Sequence, residues 1–309
     1  MHVFHELPVR PEPSVITLGT FDGIHIGHRK VIEQLVERAR NLDVRAGLVT
    51  FYPHPLAVVD PARAPRQLQT REEKFRRLES LGLNDIYEVL FNREISLLSP
   101  GVFLEEMVLR SFAVQEAIIG YDHHFGRGRS GSARSLAELG ERVGFTTEVI
   151  PPVRQGGGIV SSTRIRRAIA EGQVEEAAHL LEHPFTVSGV VDRGEGRGHS
   201  IGFPTANVTL AGEEATKIEP KVGVYAVRVR QPDGQNWPAM LNFGHRPTFG
   251  GDSLPRYEVH LFGFEGNLYG EHLTLDFIAR LRDEERFDSI DALKDQLTLD
   301  RDRCRALLK

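Results

Sequence analysis

The hydrophobic pattern of the chain changes character near His183 and Pro184. Before this point, short apolar runs alternate with longer amphipathic stretches, which is typical of a parallel sheet with helices packed on it. The predicted strands are residues 15–18, 46–51, 86–91, 117–120 and 147–150. The predicted helices are residues 30–42, 71–81 and 101–112. The first part of the chain is therefore expected to be an α/β domain with a Rossmann-like order of elements.

After Pro184 the pattern becomes one of short strands separated by Gly, Pro and Asp-Gly. This spacing favours an antiparallel barrel or sandwich. Its predicted strands are residues 185–191, 224–230, 239–243, 257–261 and 273–278, and a terminal helix is predicted from about residue 289 to 308. A length of 309 residues is about twice that of a common single domain. Two domains are expected, residues 1–183 and 184–309.

Composition narrows the class of protein. Lys and Arg number 38 and Asp and Glu 43, so the formal charge of −5 gives no sign of a nucleic-acid binder. Apolar runs stay well below the ~18 residues of a membrane span, and residues 1–6 lack the pattern of a signal peptide. A cytoplasmic protein with no membrane partner is expected. The single cysteine, Cys304, forms no internal disulfide, and its helical setting predicts a packing role.

The turn after the first predicted strand carries a dense set of functional residue types. Residues 19–28 read Gly-Thr-Phe-Asp-Gly-Ile-His-Ile-Gly-His, and a helical pattern follows. A helix N-terminus favours a phosphate, and His25 and His28, with Gly27 between them, are spaced so that both rings can reach one polyphosphate. A nucleotide is the ligand this favours. In the alternative interpretation, Asp22 caps the helix and the histidines are surface residues.

Two further loops emerge at the carboxyl ends of predicted strands, where open α/β sheets bind ligands: residues 52–55 and 121–131. Residues 126–131 spell Gly-x-Gly-x-x-Gly, but they follow a late strand and do not open a helix after the first one, so they are not a dinucleotide fingerprint. A mobile basic loop is expected instead, with Arg127 and Arg129 near phosphate. The His123-His124 pair alone does not indicate a metal site.

Residues 161–166 read Ser-Ser-Thr-Arg-Ile-Arg and precede a helical pattern, which indicates a capped helix start. Three hydroxyls beside Arg164 and Arg166 also suit a clamp on triphosphate oxygens. Residues 151–158 contain two prolines and three glycines, which suggest a flexible segment.

The second half carries a glycine-rich stretch, residues 194–198, and then Gly-Phe-Pro-Thr-Ala-Asn over residues 202–207. Backbone amides there suit phosphate, while the Thr205 hydroxyl and the Asn207 carbonyl are hard donors for Mg²⁺. Read alone, the stretch is equally a β-turn followed by a strand.

The turn at residues 19–28 resembles the His-x-Gly-His signature of the nucleotidyltransferase superfamily. With Thr-Phe-Tyr-Pro-His-Pro at 50–55, Gly-Tyr-Asp at 120–122, Phe-Gly at 125–126 and residues 160–166, the first half resembles the adenylyltransferase half of the bacterial bifunctional riboflavin kinase/FMN adenylyltransferase family. The second half resembles riboflavin kinases in Pro-Thr-Ala-Asn at 204–207, in residues 223–227, 242–248, 257–260 and 281–282, and at Phe287. The resemblance covers nearly the whole chain.

This resemblance implies a nucleotidyltransferase sheet followed by a riboflavin kinase β-barrel with a terminal helix. It implies Mg²⁺ and ATP, with riboflavin, FMN and FAD as the flavin partners; a second copy of the chain is a further candidate partner. His25 and His28 would stabilise transferring phosphate, Glu258 would accept the riboflavin 5′-hydroxyl proton, and Thr205 and Asn207 would hold Mg²⁺. ATP or phosphate binding would fall to Gly19, Phe21, Asp22, Gly27, His54, Ser161, Ser162, Thr163, Arg164, Arg166, Gly196 and Gly202. Flavin binding would fall to Asp122, Phe125, Asn242, Arg282 and Phe287.

The chain departs from the family pattern at one place: Asp-Phe-x-Phe-Gly is expected, and His123 stands where the first aromatic residue belongs. This leaves open a riboflavin kinase with an impaired adenylyltransferase domain. Two broader alternatives are a transferase acting on a non-flavin acceptor, which leaves Thr205, Asn207 and Glu258 unused, and a non-enzymatic nucleotide- or flavin-binding regulator, which would bind without consuming ATP.

Overall fold

The computed structural model describes residues 1–193, 201–247 and 253–309. The chain forms two compact units, one of residues 1–65 and 71–161 and the other of residues 66–70 and 162–309. The strands of the first unit are β1 His2–Phe4, β2 Pro13–Leu18, β3 Arg45–Tyr52, β4 Asp85–Leu90, β5 Ala113–Gly120, β6 His124–Phe125, β7 Gly131–Ser132, β8 Thr146–Ile150, β9 Arg154–Gln155 and β10 Gly158–Ile159. Its helices are α1 Ile26–Asn41, α2 Pro55–Val59, α3 Arg71–Ser80, α4 Arg93–Ser96, α5 Pro100–Phe103 and α6 Ala133–Val143.

Six strands of this unit form a parallel sheet in the order β1-β4-β3-β2-β5-β8. The five predicted strands are confirmed as β2, β3, β4, β5 and β8. The chain leaves β2 to build one side of the sheet and returns to β5 on the other side, so a topological switch point lies between them. Ligands of open α/β sheets bind outside the carboxyl ends of strands at such a point.

Helix α1 packs on this sheet because its apolar residues recur at helical spacing. Val31, Ile32, Leu35 and Ala39 are buried in one cluster with sheet residues such as Val15. The predicted helix at 101–112 is irregular: α5 continues at once into a π-helical turn, Leu104–Val108. The segment expected to be flexible contains a short ribbon of β9 and β10.

The second unit contains α7 Ser162–Ala170, α8 Val174–Leu181, β11 Phe185–Asp192, β12 Ala206–Thr209, β13 Gly223–Arg230, β14 Asn236–Pro247, β15 Ser253–Leu261, β16 His272–Arg282 and α9 Ile290–Leu307. Its strands close into an antiparallel barrel in the order β11-β12-β15-β14-β13-β16. Of the two predicted architectures, the antiparallel barrel is therefore confirmed and the sandwich is wrong. Helices α7 and α8 belong to this unit: the Lys221 amide donates to Ile169 O at 3.2 Å, and the Arg280 amide donates to a Glu175 carboxylate oxygen at 3.2 Å.

The barrel strands alternate between a filled interior and an outer face. Tyr225, Phe243, Tyr257 and Phe277 fill the interior and are almost fully buried. Helix α9 packs on the outside, in an apolar cluster that joins Cys304 to strand and loop residues: Phe203, Val224, Ala226, Met240, Phe262, Ala279, Leu281 and Leu308. The predicted packing role of Cys304 is confirmed, since the residue is 0% exposed and burial raises the pKa of its thiol to about 12.

None of the helices in the described part of the chain combines the length and the apolar character needed to cross a membrane.

Candidate active sites

The turn between β2 and α1 has a strained backbone that aims its side chains. Phe21 and Ile24 have φ of 48° and 42°, in the left-handed region that non-glycine residues rarely adopt. Helix α1 is capped by His25, whose Nδ1 accepts a hydrogen bond from the His28 amide at 3.2 Å. The alternative in which Asp22 caps the helix is therefore wrong. The cap also fixes the tautomer, because an accepting Nδ1 leaves the proton of neutral His25 on Nε2.

The two imidazoles lie against each other at the start of α1. Their ring centroids are 3.7 Å apart with an interplanar angle of 14°, and the Phe21 ring lies 4.8 Å from that of His28. His25 is only 5% exposed, so it is not a surface residue. The first turn of α1 contains no acidic side chain. The positive end of the helix dipole and the imidazole N–H groups therefore both favour an anion at this point, and its binding remains a prediction.

Gly27 makes room for this arrangement. A Cβ at Gly27 would lie 3.1 Å from Cε1 and 3.2 Å from Nδ1 of His25. A glycine is also required at position 19, because φ there is 153° and a Cβ would lie 3.0 Å from the Phe21 ring. Both glycines thus fix how closely the backbone and the rings of the turn approach each other.

The loops after β3 and β5 lie at the carboxyl ends of the strands that flank β2. His54 follows β3 and caps α2, its Nδ1 accepting from the Leu56 amide at 3.2 Å. Asp122 follows β5 and is exposed, and its carbonyl accepts from His124 Nδ1 at 2.8 Å. Strand order thus brings these two loops and the histidine turn to one edge of the sheet, as expected.

Phe125 packs into the core and is 5% exposed, while the ring of His123 stacks on it with centroids 5.6 Å apart. The imidazole that replaces the expected aromatic residue thus lies above a buried phenyl ring. Direct contact of Phe125 with flavin remains a prediction.

The Gly-x-Gly-x-x-Gly stretch forms a turn of the ribbon β6–β7 and opens no phosphate-binding helix directly. A Cβ at Gly131 would lie 2.6 Å from the Phe125 ring, and a Cβ at Gly126 would lie 2.8 Å from Cα of Pro100. These glycines therefore serve close packing, and the rejection of a dinucleotide fingerprint is confirmed. Arg127 is exposed; the side chain of Arg129 lies outside the described residues.

The motif at residues 161–166 starts α7, with Ser162 as the first helical residue. Arg164 donates from Nε and from a terminal nitrogen to Glu176 at 3.1 and 2.7 Å. Arg166 Nε donates to the carbonyl of Arg66 at 2.6 Å. The guanidinium groups are thus oriented by partners of the second unit, and their binding of phosphate, with that of Ser161 and Thr163, remains a prediction.

On the barrel, strand register places three predicted residues in one row. Glu258 on β15 is directly opposite Asn207 on β12 and directly opposite Asn242 on β14. Residues directly opposite share a face, and neighbouring strands lie ~4.8 Å apart. Since Tyr257 and Val259 fill the barrel interior, Glu258 and its two neighbours lie on the outer face. Thr205 precedes β12 at the end of this row and is exposed.

This outer row is polar and accessible. Asn242 Nδ2 donates to a Glu284 carboxylate oxygen at 3.0 Å. Among the described residues, none pairs with the Glu258 carboxylate, which is half-buried. Gly202 has φ of 84° and open space around it, while Gly196 lies outside the described residues.

Arg282 is held against helix α9. Its Nε and a terminal nitrogen donate to a carboxylate oxygen of Asp300 at 2.9 and 2.8 Å, and Asp300 also accepts from Gln296 at 2.9 Å. The guanidinium lies 5.8 Å from the centre of the Phe287 ring. Register continues the polar row through Val224 to Arg282. The structure therefore brings Arg282 and Phe287 together, and strand register aligns Arg282 with Asn242.

A histidine that sequence reasoning did not single out also lies on this face. His260 Nδ1 donates to the carbonyl of Pro204 at 2.7 Å, and burial lowers the pKa of the imidazole despite this bond. The alternation Tyr-Glu-Val-His was the available signal, because it places His260 on the same face as Glu258. Asp300 was missed because nothing in a helical pattern tells a buried carboxylate from an exposed one.

Comparisons with known proteins agree with this geometry in both halves. The FAD synthetase family model matches residues 7–164, and the riboflavin kinase family model matches residues 181–308. A bifunctional riboflavin kinase/FMN adenylyltransferase from Pseudomonas fluorescens is 37% identical over 98% of this chain and 96% of its own. The chain belongs to the bifunctional riboflavin kinase/FMN adenylyltransferase family. Relatives with the same name include proteins from Escherichia coli K12, 36% identical over 96% of this chain and 93% of their own, and from Bacillus subtilis, 34% identical over 97% and 94%.

A crystal structure titled as a macrolide-efflux protein from Streptococcus pneumoniae has the same fold, with a TM-score of 0.89, 31% identity and 99% coverage of each chain. Its title names a different activity from the two family models. That activity is not carried over to this chain, because both halves match family models of flavin-synthesising enzymes.

Proposed function

We propose that the chain makes FAD in two transfers at separate sites: riboflavin is phosphorylated on the barrel, and FMN is adenylylated at the histidine turn. The observation that carries the proposal is the outer row of the barrel, where the Glu258 carboxylate, paired with no described residue, stands between two asparagines near Thr205. That set supplies a base and hard oxygen donors, and an adenylyltransferase alone would leave it unused. The stacked histidines of the first unit supply the second site.

In the first transfer, Glu258 accepts the proton of the riboflavin 5′-hydroxyl. The hydroxyl oxygen bonds to the γ-phosphorus of Mg²⁺·ATP, the bond from that phosphorus to the bridging oxygen breaks, and ADP leaves. Since no described residue pairs with the Glu258 carboxylate, it is available as a base. Thr205 and Asn207 fit the Mg²⁺ of this substrate, since a hydroxyl and an amide carbonyl are hard oxygen donors beside the Glu258 carboxylate. Asn242, Arg282 and Phe287 bind the flavin.

In the second transfer, a phosphate oxygen of FMN bonds to the α-phosphorus of ATP, and pyrophosphate leaves. The nucleophile is already an anion, so no covalent enzyme intermediate is needed. His25 and His28 donate to the phosphate oxygens where charge develops, and the N-terminus of α1 adds its dipole. Phosphates also bind at Gly19, Phe21, Asp22, Gly27 and His54, and Asp122 and Phe125 form the flavin side of this site.

The remaining roles are proposed on resemblance and residue chemistry. Residues 161–166 and the glycines Gly196 and Gly202 bind ATP phosphates. The proposed adenylyltransferase and kinase domains are residues 1–183 and 184–309; this functional division counts α7 and α8 with the first domain, although they pack in the second compact unit. The proposed compartment is the cytoplasm, where ATP is available; neither nucleic acid nor a membrane is a proposed partner, and a second copy of the chain is a candidate partner.

A time course tests the function. The purified chain is incubated with riboflavin, ATP and Mg²⁺, and the flavins are separated by chromatography. FMN is expected first, followed by its conversion to FAD. FMN that accumulates without FAD would reject the second transfer, and ATP-independent flavin binding without product would reject both.

A further inference from the structure

His260 lies between the two parts of the proposed kinase site. It follows Glu258 by two residues on β15 and lies on the same outer face, and its ring reaches Pro204, the residue just before Thr205. One side chain thus connects the strand that carries the proposed base with the segment that carries the proposed Mg²⁺ and ATP ligands.

The bond to Pro204 has a defined direction. A backbone carbonyl only accepts, so Nδ1 of His260 carries the proton, and it does so whether the ring is neutral or charged. Pro204 itself has no backbone N–H, so its carbonyl is the backbone group by which it can be anchored. The ladder between β12 and β15 begins only at Ala206 opposite Val259. The bond from His260 therefore holds a segment that the ladder does not reach.

The ring of His260 is held in place by aromatic neighbours. Phe203 lies edge-on at 5.3 Å and Phe262 at 5.6 Å between ring centroids, and both phenyl rings are buried. The guanidinium of Arg305 on α9 lies 5.5 Å from the centre of the Phe262 ring. Such edge-to-face packing limits the plane of the imidazole, and the bond to the Pro204 carbonyl favours the orientation in which Nδ1 faces it.

We propose that His260 is a positioning residue for phosphoryl transfer: its hydrogen bond to Pro204 sets where Thr205 and Asn207 stand relative to Glu258. The inference rests on the proposed kinase function. It assigns His260 no contact with substrate; its effect is on the placement of Mg²⁺·ATP, because the segment it holds is the one that binds the nucleotide.

The test uses three substitutions in the full chain. His260→Asn keeps an N–H donor near the position of Nδ1, His260→Gln places its donor about one bond further out, and His260→Leu removes the donor. For each variant, kcat and separate KM values for Mg²⁺·ATP and riboflavin are measured. FMN adenylylation by the same preparation serves as the internal control, because it uses the other site.

We expect His260→Leu and His260→Gln to raise the KM for Mg²⁺·ATP about 10-fold and to lower kcat, since a misplacement of about 1 Å can cost as much as 10²-fold. The KM for riboflavin should change less than about 2-fold, and His260→Asn should stay within about 3-fold of the parent protein. FMN adenylylation should be unchanged in all three. If His260→Leu does not fold, the comparison of Asn with Gln decides alone.

Three results would overturn the proposal: an unchanged KM for Mg²⁺·ATP in folded His260→Leu and His260→Gln, an equal rise of both KM values, or equal loss in His260→Asn and His260→Gln. A parent protein that makes no FMN would instead overturn the proposed function, so the two failures are distinguishable.

Discussion

Replacing Gly27 by alanine should separate the stability of the first unit from its chemistry. Gly27 is the second residue of α1 and has no left-handed φ. Alanine is favoured over glycine in helices by about 0.5–1 kcal/mol. The free energy of unfolding should therefore stay within about 1 kcal/mol of that of the parent protein or rise slightly.

The added methyl group acts on His25. Its Cβ would lie 3.1 Å from Cε1 and 3.2 Å from Nδ1, so the ring must move by a few tenths of an ångström. That movement disturbs both the 3.7 Å stack on His28 and the 3.2 Å bond from the His28 amide. If a shift of about 1 Å costs as much as 10²-fold, this one should lower kcat/KM for FMN adenylylation about 10- to 30-fold, or ~1.4–2 kcal/mol of transition-state stabilisation.

The assay follows FAD formation from FMN and ATP, with riboflavin phosphorylation and thermal unfolding measured on the same sample. Gly101→Ala is the matched control, because Gly101 is also the second residue of a helix and a Cβ there meets nothing within 4 Å. Gly101→Ala should leave both activities unchanged and keep the free energy of unfolding within about 1 kcal/mol of that of the parent protein. Full FAD formation by folded Gly27→Ala would show that the position of the His25 ring does not limit adenylylation, and an equal loss in the control would show that the effect is not specific to this turn.

Two further predictions concern helix α9. Asp300→Asn removes the carboxylate that accepts two bonds from Arg282. The KM for riboflavin should then rise about 10-fold, which corresponds to the loss of ~1.4 kcal/mol from a charged hydrogen bond. A change confined to the KM for ATP would contradict this prediction. Cys304 is fully buried, and the pKa of its thiol is raised to about 12. A thiol reagent should therefore label the native protein at least about 10²-fold more slowly than the unfolded chain. Rapid labelling of the native protein would show that α9 does not cover Cys304.

The sequence predicted the strands that carry continuous apolar runs, because burial on both faces of a parallel sheet requires such runs. It missed β1 and β12. Strand β1 has three residues at the sheet edge, and β12, Ala206–Thr209, has a single buried apolar residue. Short strands of this kind are held by the ladder of a neighbouring strand and not by a pattern of their own.

The histidine turn was predicted as a helix start, but its cap was not. Asp22 was the cap in the alternative interpretation, because carboxylates commonly fill that position. The imidazole of His25 takes it, since Phe21 and Ile24 adopt left-handed conformations that redirect the chain. Backbone strain of this kind has no signature in a sequence pattern.

The outer row of the barrel could not be predicted from the sequence either, because its residues come from strands that are far apart in the chain. Alternation along β15 places Glu258 on one face with His260, but only the pairing of β12, β15 and β14 sets Asn207 and Asn242 beside it. Register between strands depends on the whole closed barrel. Side-chain partners from α9, such as Asp300 at Arg282, depend in turn on how that helix packs.

If one chain holds two independent transfer sites, each site can be disabled while the other works, and a pair of reciprocal variants checks this. His28→Ala and Glu258→Gln are each given riboflavin, and separately FMN, with ATP and Mg²⁺. His28→Ala should form FMN at the parent rate and no FAD, whereas Glu258→Gln should lose FMN formation about 10²- to 10⁴-fold and still convert supplied FMN to FAD. Loss of both activities together in either folded variant would contradict the account.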